Sequence, residues 1–177
     1  MTAFQKIKNE PGLWFIIKII SVYGIWVIVR NIFKKTGLRP VWNDINNWFA
    51  EIYVNHSAYF LKNWLGYSLS TTPRNLLIEG TKGIYIGDHC LGISAIFIFC
   101  GIILVLEGRL IHKLWFVFAG IFAIYCMNLF RAVTLGIMQK NEMEVFFHFN
   151  HSYTYLLLIY GLIFLIIMVW EKYVSKW

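Results

Sequence analysis

Apolar positions along this chain gather into long runs separated by short polar breaks. Leu13 to Phe33 is one such run, interrupted only by Lys18 and a few small polar residues, with Lys6 and Lys8 ahead of it. It is too long for the apolar region of a typical signal peptide, and Asn31 to Lys35 stand where a small-x-small cleavage site would be, so it reads as a retained anchor. Val41 to Tyr67 has a different pattern, with Trp42, Ile45, Trp48, Phe49, Ile52, Tyr59 and Phe60 at roughly helical spacing among Asp44, Asn46, Asn47, Glu51, Asn55, His56, Lys62 and Asn63. Three charges, each costing about 2.5–3.5 kcal/mol at the centre of a membrane helix, argue for an amphipathic helix on the membrane or packed over the later spans. Turn residues follow from Ser68 to Pro73, and two short apolar runs flanking Glu79 to Gly83 predict a β-hairpin. Three more apolar runs, Leu91 to Leu106, Leu114 to Met138 and Ser152 to Trp170, predict spans, the first of them short.

The pattern therefore describes an all-α integral membrane protein: about four transmembrane helices, an amphipathic helix and a short extracytoplasmic hairpin in one membrane domain over residues 1–177. Composition agrees, since 59% of the residues are apolar and only 14% charged, against about 25% charged in soluble domains. The formal charge of +7 is scattered near the ends of the apolar runs, which favours a bilayer with anionic headgroups as partner over nucleic acid. Orientation follows from the basic linker Glu107 to Lys113 and from Lys172 and Lys176, which belong in the cytoplasm. Cys90 and the segment Gln139 to Asn150 are then extracytoplasmic, in a multi-pass protein of the cytoplasmic (inner) membrane. Arg30, Lys34, Lys35 and Arg39 run against this rule if the first span points outward; a spanning polar helix with an external N-terminus would relieve it, and either arrangement leaves Cys90 on the same face.

On that face the chemistry is concentrated. Cys90 stands at a loop-to-helix junction in Gly87-Asp88-His89-Cys90-Leu91-Gly92, where first-turn N–H groups and the helix dipole favour a thiolate. Cys100 and Cys126 lie inside apolar runs and read as packing residues. Arg131 cannot shed its charge and sits about one to two turns inside a span, which makes it a functional candidate. Asn128, three residues earlier, shares its helical face and is placed to orient the guanidinium or bind a carbonyl. His151, opening the last span, is the general-base candidate. His148, three residues before it, would join it in a zinc pair, but no HExxH sequence is present and a third ligand must be borrowed, so no metal and no cofactor is assigned. His89 and His56 read as ordinary loop and surface residues.

Asp88-His89-Cys90-Leu91-Gly92-Ile93-Ser94, then Asn128-Leu129-Phe130-Arg131, then His148-Phe149-Asn150-His151 before an aromatic-rich final span, together resemble the exosortase/archaeosortase family, in particular its short exosortases. The resemblance covers roughly Leu65 to Trp177 and rests on the order and common face of these motifs. It implies a membrane cysteine transpeptidase that cleaves a secreted protein's C-terminal sorting signal, made of a short motif, a hydrophobic helix and a basic tail. By the same resemblance Cys90 matches the nucleophile, Arg131 the arginine after Asn-x-x, and His151, or His148 in a shifted register, the histidine. Leu91 departs from the small residue common between Cys and Gly. The thioester would pass to an amine on a lipid or glycan anchor, or to water. Two other readings remain: a non-catalytic membrane subunit of a secretion or assembly complex, and a zinc-dependent membrane protease.

Overall fold

A computed structural model describes residues 11–150 and 154–174. Helix α1 spans Pro11–Lys35, beginning on a proline whose missing N–H costs nothing in a first turn. After a short turn, Thr36-Gly37-Leu38, that supplies no side-chain cap, α2 runs from Arg39 to Leu65, again with proline in its first turn. It stops at Gly66, which takes the left-handed conformation (φ 69°) and donates its N–H back to the last turn. The predicted amphipathic helix is thus present almost residue for residue, with Asn46, Ala50, Tyr53, Val54, Ser57 and Leu61 on its buried stripe.

The predicted hairpin is also present, as β2 (Asn75–Ile78) against β3 (Ile84–Tyr85), pairing Asn75 with Tyr85 and Leu76 with Ile84. A third strand, β1 (Leu69–Thr71), pairs antiparallel with β2 and makes a meander ordered β1-β2-β3. Its residues read as a turn because Ser70 and Thr71 face outward and only three residues pair. A single 3-10 turn, Asp88–Cys90, leads into α3 (Ile93–Val105), and α4 (Leu110–Lys140), the short α5 (Glu144–Phe149) and α6 (Tyr155–Val169) follow, α6 running on into a π-helical turn, Trp170–Val174.

Among the described residues, three helical stretches are long and apolar enough to cross a membrane: Gly12–Lys35, Leu110–Lys140 and Tyr155–Tyr173. Helix α3, expected to span Leu91 to Leu106, is only 13 residues long, about 20 Å against a hydrocarbon core of about 30 Å. It is shortened at both ends. The 3-10 turn and Gly92 (φ 69°) delay its start, and extended Leu106 with Gly108 (φ 135°) ends it.

Close approaches set the helix directions. A Cβ on Gly101 of α3 would come within 2.5 Å of Val22 in α1, one on Gly120 of α4 within 2.2 Å of the Phe99 ring in α3, and Trp26 lies 4.7 Å from Phe97. Both neighbours therefore run antiparallel to α3. Helix α2 instead climbs beside the second half of α4, with Tyr53 stacked on Tyr125 at 5.3 Å and Leu61 against Gly136. Three buried clusters stack along this axis: Val22, Phe99, Ile103, Ile124 and Trp170 at one end, Ala50, Tyr53, Val54, Leu91 and Ala132 in the middle, and Leu61, Leu76, Ile78, Leu135 and Tyr155 under the sheet.

Candidate functional site

The turn that carries Cys90 is held from outside by one arginine. Arg74, just ahead of the sheet's second strand, donates from Nε to Asn47 Oδ1 on α2 at 2.7 Å, and from Nη1 to Asp88 at 2.7 Å and to the Tyr85 hydroxyl at 3.5 Å. Burial works against this cation, but the bonds to Asp88 and Tyr85 favour it more, leaving its pKa above the ordinary value. Within the turn the Cys90 N–H donates to Gly87 O at 2.8 Å, and α3 begins three residues later. Leu91, fully buried, drives into the middle cluster between α2 and α4 and anchors the turn from inside.

Gly92 explains the Cys-x-Gly spacing. Its φ of 69° suits glycine, and a Cβ there would lie 2.4 Å from Asn128 Nδ2. Asn128, 2% exposed, donates Nδ2 to Ile124 O at 3.0 Å. One turn further along α4, Arg131 is 8% exposed, with its guanidinium carbon 5.5 Å from the centre of the Tyr155 ring at the start of α6, a cation–π arrangement.

Cys90 and Arg131 share two cavities. A groove of about 500 Å³ is walled by both residues together with Trp26 and Arg30 of α1, His89 and Ser94, and Ile159 and Tyr160 of α6. A small cavity of about 20 Å³ lies behind it, lined by both residues with Tyr53, Asn128, Ile84 and Leu135. Arg131 and Cys90 thus border the same space. Helix α4 continues nine residues past Arg131 to Lys140, whose Nζ is bonded to Glu79 O at 2.8 Å.

Residues 17–169 of the 177 match the transmembrane exosortase family. The chain belongs to that family. No curated protein and no solved structure is detectably similar to this exosortase-family chain.

Of the site residues expected in this exosortase, Cys90, Arg131 and Asn128 come together. His151 lies outside the described residues, and the His148 side chain does too, although its backbone belongs to α5. Among the described residues no three His, Cys, Asp or Glu side chains gather to hold a metal ion. Three residues of the site were not singled out from sequence, Arg74, Tyr53 and Arg30, and His89, read there as an ordinary loop residue, lines the groove. Arg74 and Tyr53 sit in patterns that predict only a turn and a helix face. Arg30 had a signal, a charge near the end of an apolar run, which orientation alone explained.

Proposed function

We propose that this exosortase-family membrane protein is a cysteine transpeptidase that cleaves the C-terminal sorting signal of secreted, membrane-anchored proteins. The supporting observation is the pair of cavities shared by Cys90 and Arg131, next to helices long enough to cross a bilayer. On this reading the protein is a multi-pass component of the cytoplasmic membrane, α3 makes a short fourth pass, and the sheet and the groove lie on the extracytoplasmic face.

The reaction runs in two halves. Cys90 gives its proton to the general base, His151 or His148, and the sulfur attacks the scissile carbonyl carbon as the C–O π pair moves onto oxygen. Arg131 stabilises that oxyanion, in surroundings where water competes weakly. Collapse breaks the C–N bond, the nitrogen takes the proton, and the substrate's hydrophobic tail departs, leaving a thioester on Cys90. An amine on a lipid or glycan acceptor, or water, then attacks the thioester, gives up a proton and restores the thiol. Tyr155, packed on Arg131, lies four residues after His151 in the sequence.

Co-expression with secreted proteins ending in a motif, a hydrophobic helix and a basic tail tests this. Cleavage should vanish in Cys90→Ala and Arg131→Ala, and a thioester adduct should form only when Cys90 is present. Unchanged processing in Cys90→Ala would instead establish a non-catalytic membrane subunit.

A further inference from the structure

The small cavity behind the groove has polar groups that packing alone does not require. Tyr53 is 2% exposed, and its hydroxyl is buried with no hydrogen-bond partner among the described residues. Asn128 Oδ1 is in the same condition. These two side chains are polar neighbours on one wall of the cavity, and leaving buried polar groups without a well-formed bond is costly. The cavity measures about 20 Å³, enough for a single water or oxygen atom and for little else. Apart from Cys90 and Arg131, its remaining wall is Tyr85 and the apolar Ile84, Ile86, Ala132 and Leu135.

Position gives that oxygen-sized space a role. Cys90 and Arg131 form the wall common to this cavity and to the large groove. A peptide lying in the groove with its carbonyl carbon at Cys90 would turn its carbonyl oxygen toward the small cavity. Asn128 Nδ2 spends one of its two hydrogens on Ile124 O, and the Tyr85 hydroxyl lies against Arg74 Nη1 at 3.5 Å, which leaves the Tyr53 hydroxyl and the Arg131 guanidinium as the strongest side-chain donors on the cavity wall. We infer that Tyr53 is a further catalytic residue, donating its phenolic hydrogen to the oxyanion that forms when Cys90 attacks an acyl group; this rests on the cysteine transpeptidase reading. The hydrogen is shared and not transferred: as the S–C bond forms, the carbonyl π pair becomes the oxyanion lone pair, and it re-forms the C=O bond as the leaving group departs. Burial, then the neighbouring Tyr125, holds the phenol above its ordinary pKa, with Asn128 pulling the other way, so it stays protonated at neutral pH. Stacking on Tyr125, whose hydroxyl is bonded to His56, fixes the ring in place.

The test compares two reactions of one thiol, in a Cys100→Ala, Cys126→Ala background. Acylation by p-nitrophenyl acetate passes through an oxyanion, whereas alkylation by iodoacetamide at the sulfur does not. Tyr53→Phe should slow acylation at least about tenfold, as removal of a single oxyanion donor does, and leave alkylation within twofold. Equal slowing of both reactions would mean that Tyr53 only holds the Cys90 turn, and no slowing of either would mean that its hydroxyl plays no part; each overturns the inference. If Tyr53→Phe does not fold, fluorotyrosine incorporated at position 53, which makes the phenol a stronger donor at nearly unchanged size, should change the acylation rate and leave alkylation unaltered, and an unchanged acylation rate overturns the inference. Loss of substrate cleavage in Cys90→Ala with normal cleavage and acylation in Tyr53→Phe removes this inference alone, while retained cleavage in Cys90→Ala removes the transpeptidase reading beneath it.

Discussion

Among single residues, Arg131 has the most demanding position, because a permanent cation is buried beside an aromatic ring and on the wall of both cavities. A lysine would keep the charge, but as a compact ammonium it cannot spread planar donors across both the Tyr155 face and a developing oxyanion. Arg131→Lys should therefore accumulate in the membrane like wild type yet cleave a co-expressed sorting-signal substrate at least about tenfold more slowly; equal cleavage would show that charge alone suffices. Arginine in an apolar run was visible from sequence as a costly residue. Its partner ring was not, since Tyr155 is one of many aromatics and only packing of α6 on α4 selects it.

Glycines separate two effects at the scale of the elements. Gly66 and Gly92 share a φ of 69°, but a Cβ on Gly66 meets open space while one on Gly92 lies 2.4 Å from the Asn128 amide. Gly66→Ala should cost about 1 kcal/mol from backbone conformation alone. Gly92→Ala should lower thermal stability in detergent by more than that and, unlike Gly66→Ala, should change the alkylation rate of Cys90, because Asn128 must move. Similar losses and unaltered thiol reactivity in both would mean that the Gly92–Asn128 approach has no bearing on the site. Periodicity identified the elements well: α2 and the β2–β3 hairpin appeared where apolar and turn residues foretold them. It missed β1 and overextended α3, because a three-residue strand has no period to detect and the capping geometry around Gly92 and Gly108 is conformational.

For the whole molecule, the antiparallel packing of α1 on α3 brings Arg30 into the groove with Cys90. Arg30 at the end of α1 thus lies on the same side as Cys90, the arrangement that runs against the positive-inside tendency, and not the one in which a spanning polar α2 relieves it. In cells, Lys82→Cys at the hairpin turn should react with a membrane-impermeant maleimide added outside, in a background lacking the native cysteines. Arg109→Cys should react only after permeabilisation. The reverse pattern would turn the proposed orientation over and put the groove in the cytoplasm.

Runs of apolar residues, each too long and too uninterrupted for a soluble core, determined from sequence alone that this is a helical membrane protein, because hydrocarbon selects composition locally, residue by residue. The order of Cys90, Asn128 and Arg131 along those runs was enough to suggest the family and the chemistry. Only the tertiary structure decided that Cys90 and Arg131 share a wall, that Arg74 clamps the Cys90 turn, and that Tyr53 reaches the same small cavity. Those contacts join residues far apart in the chain, and they depend on which face each helix turns to its neighbour, a choice made by the fit of side chains such as Phe99 against Gly120 and Asn128 against Gly92.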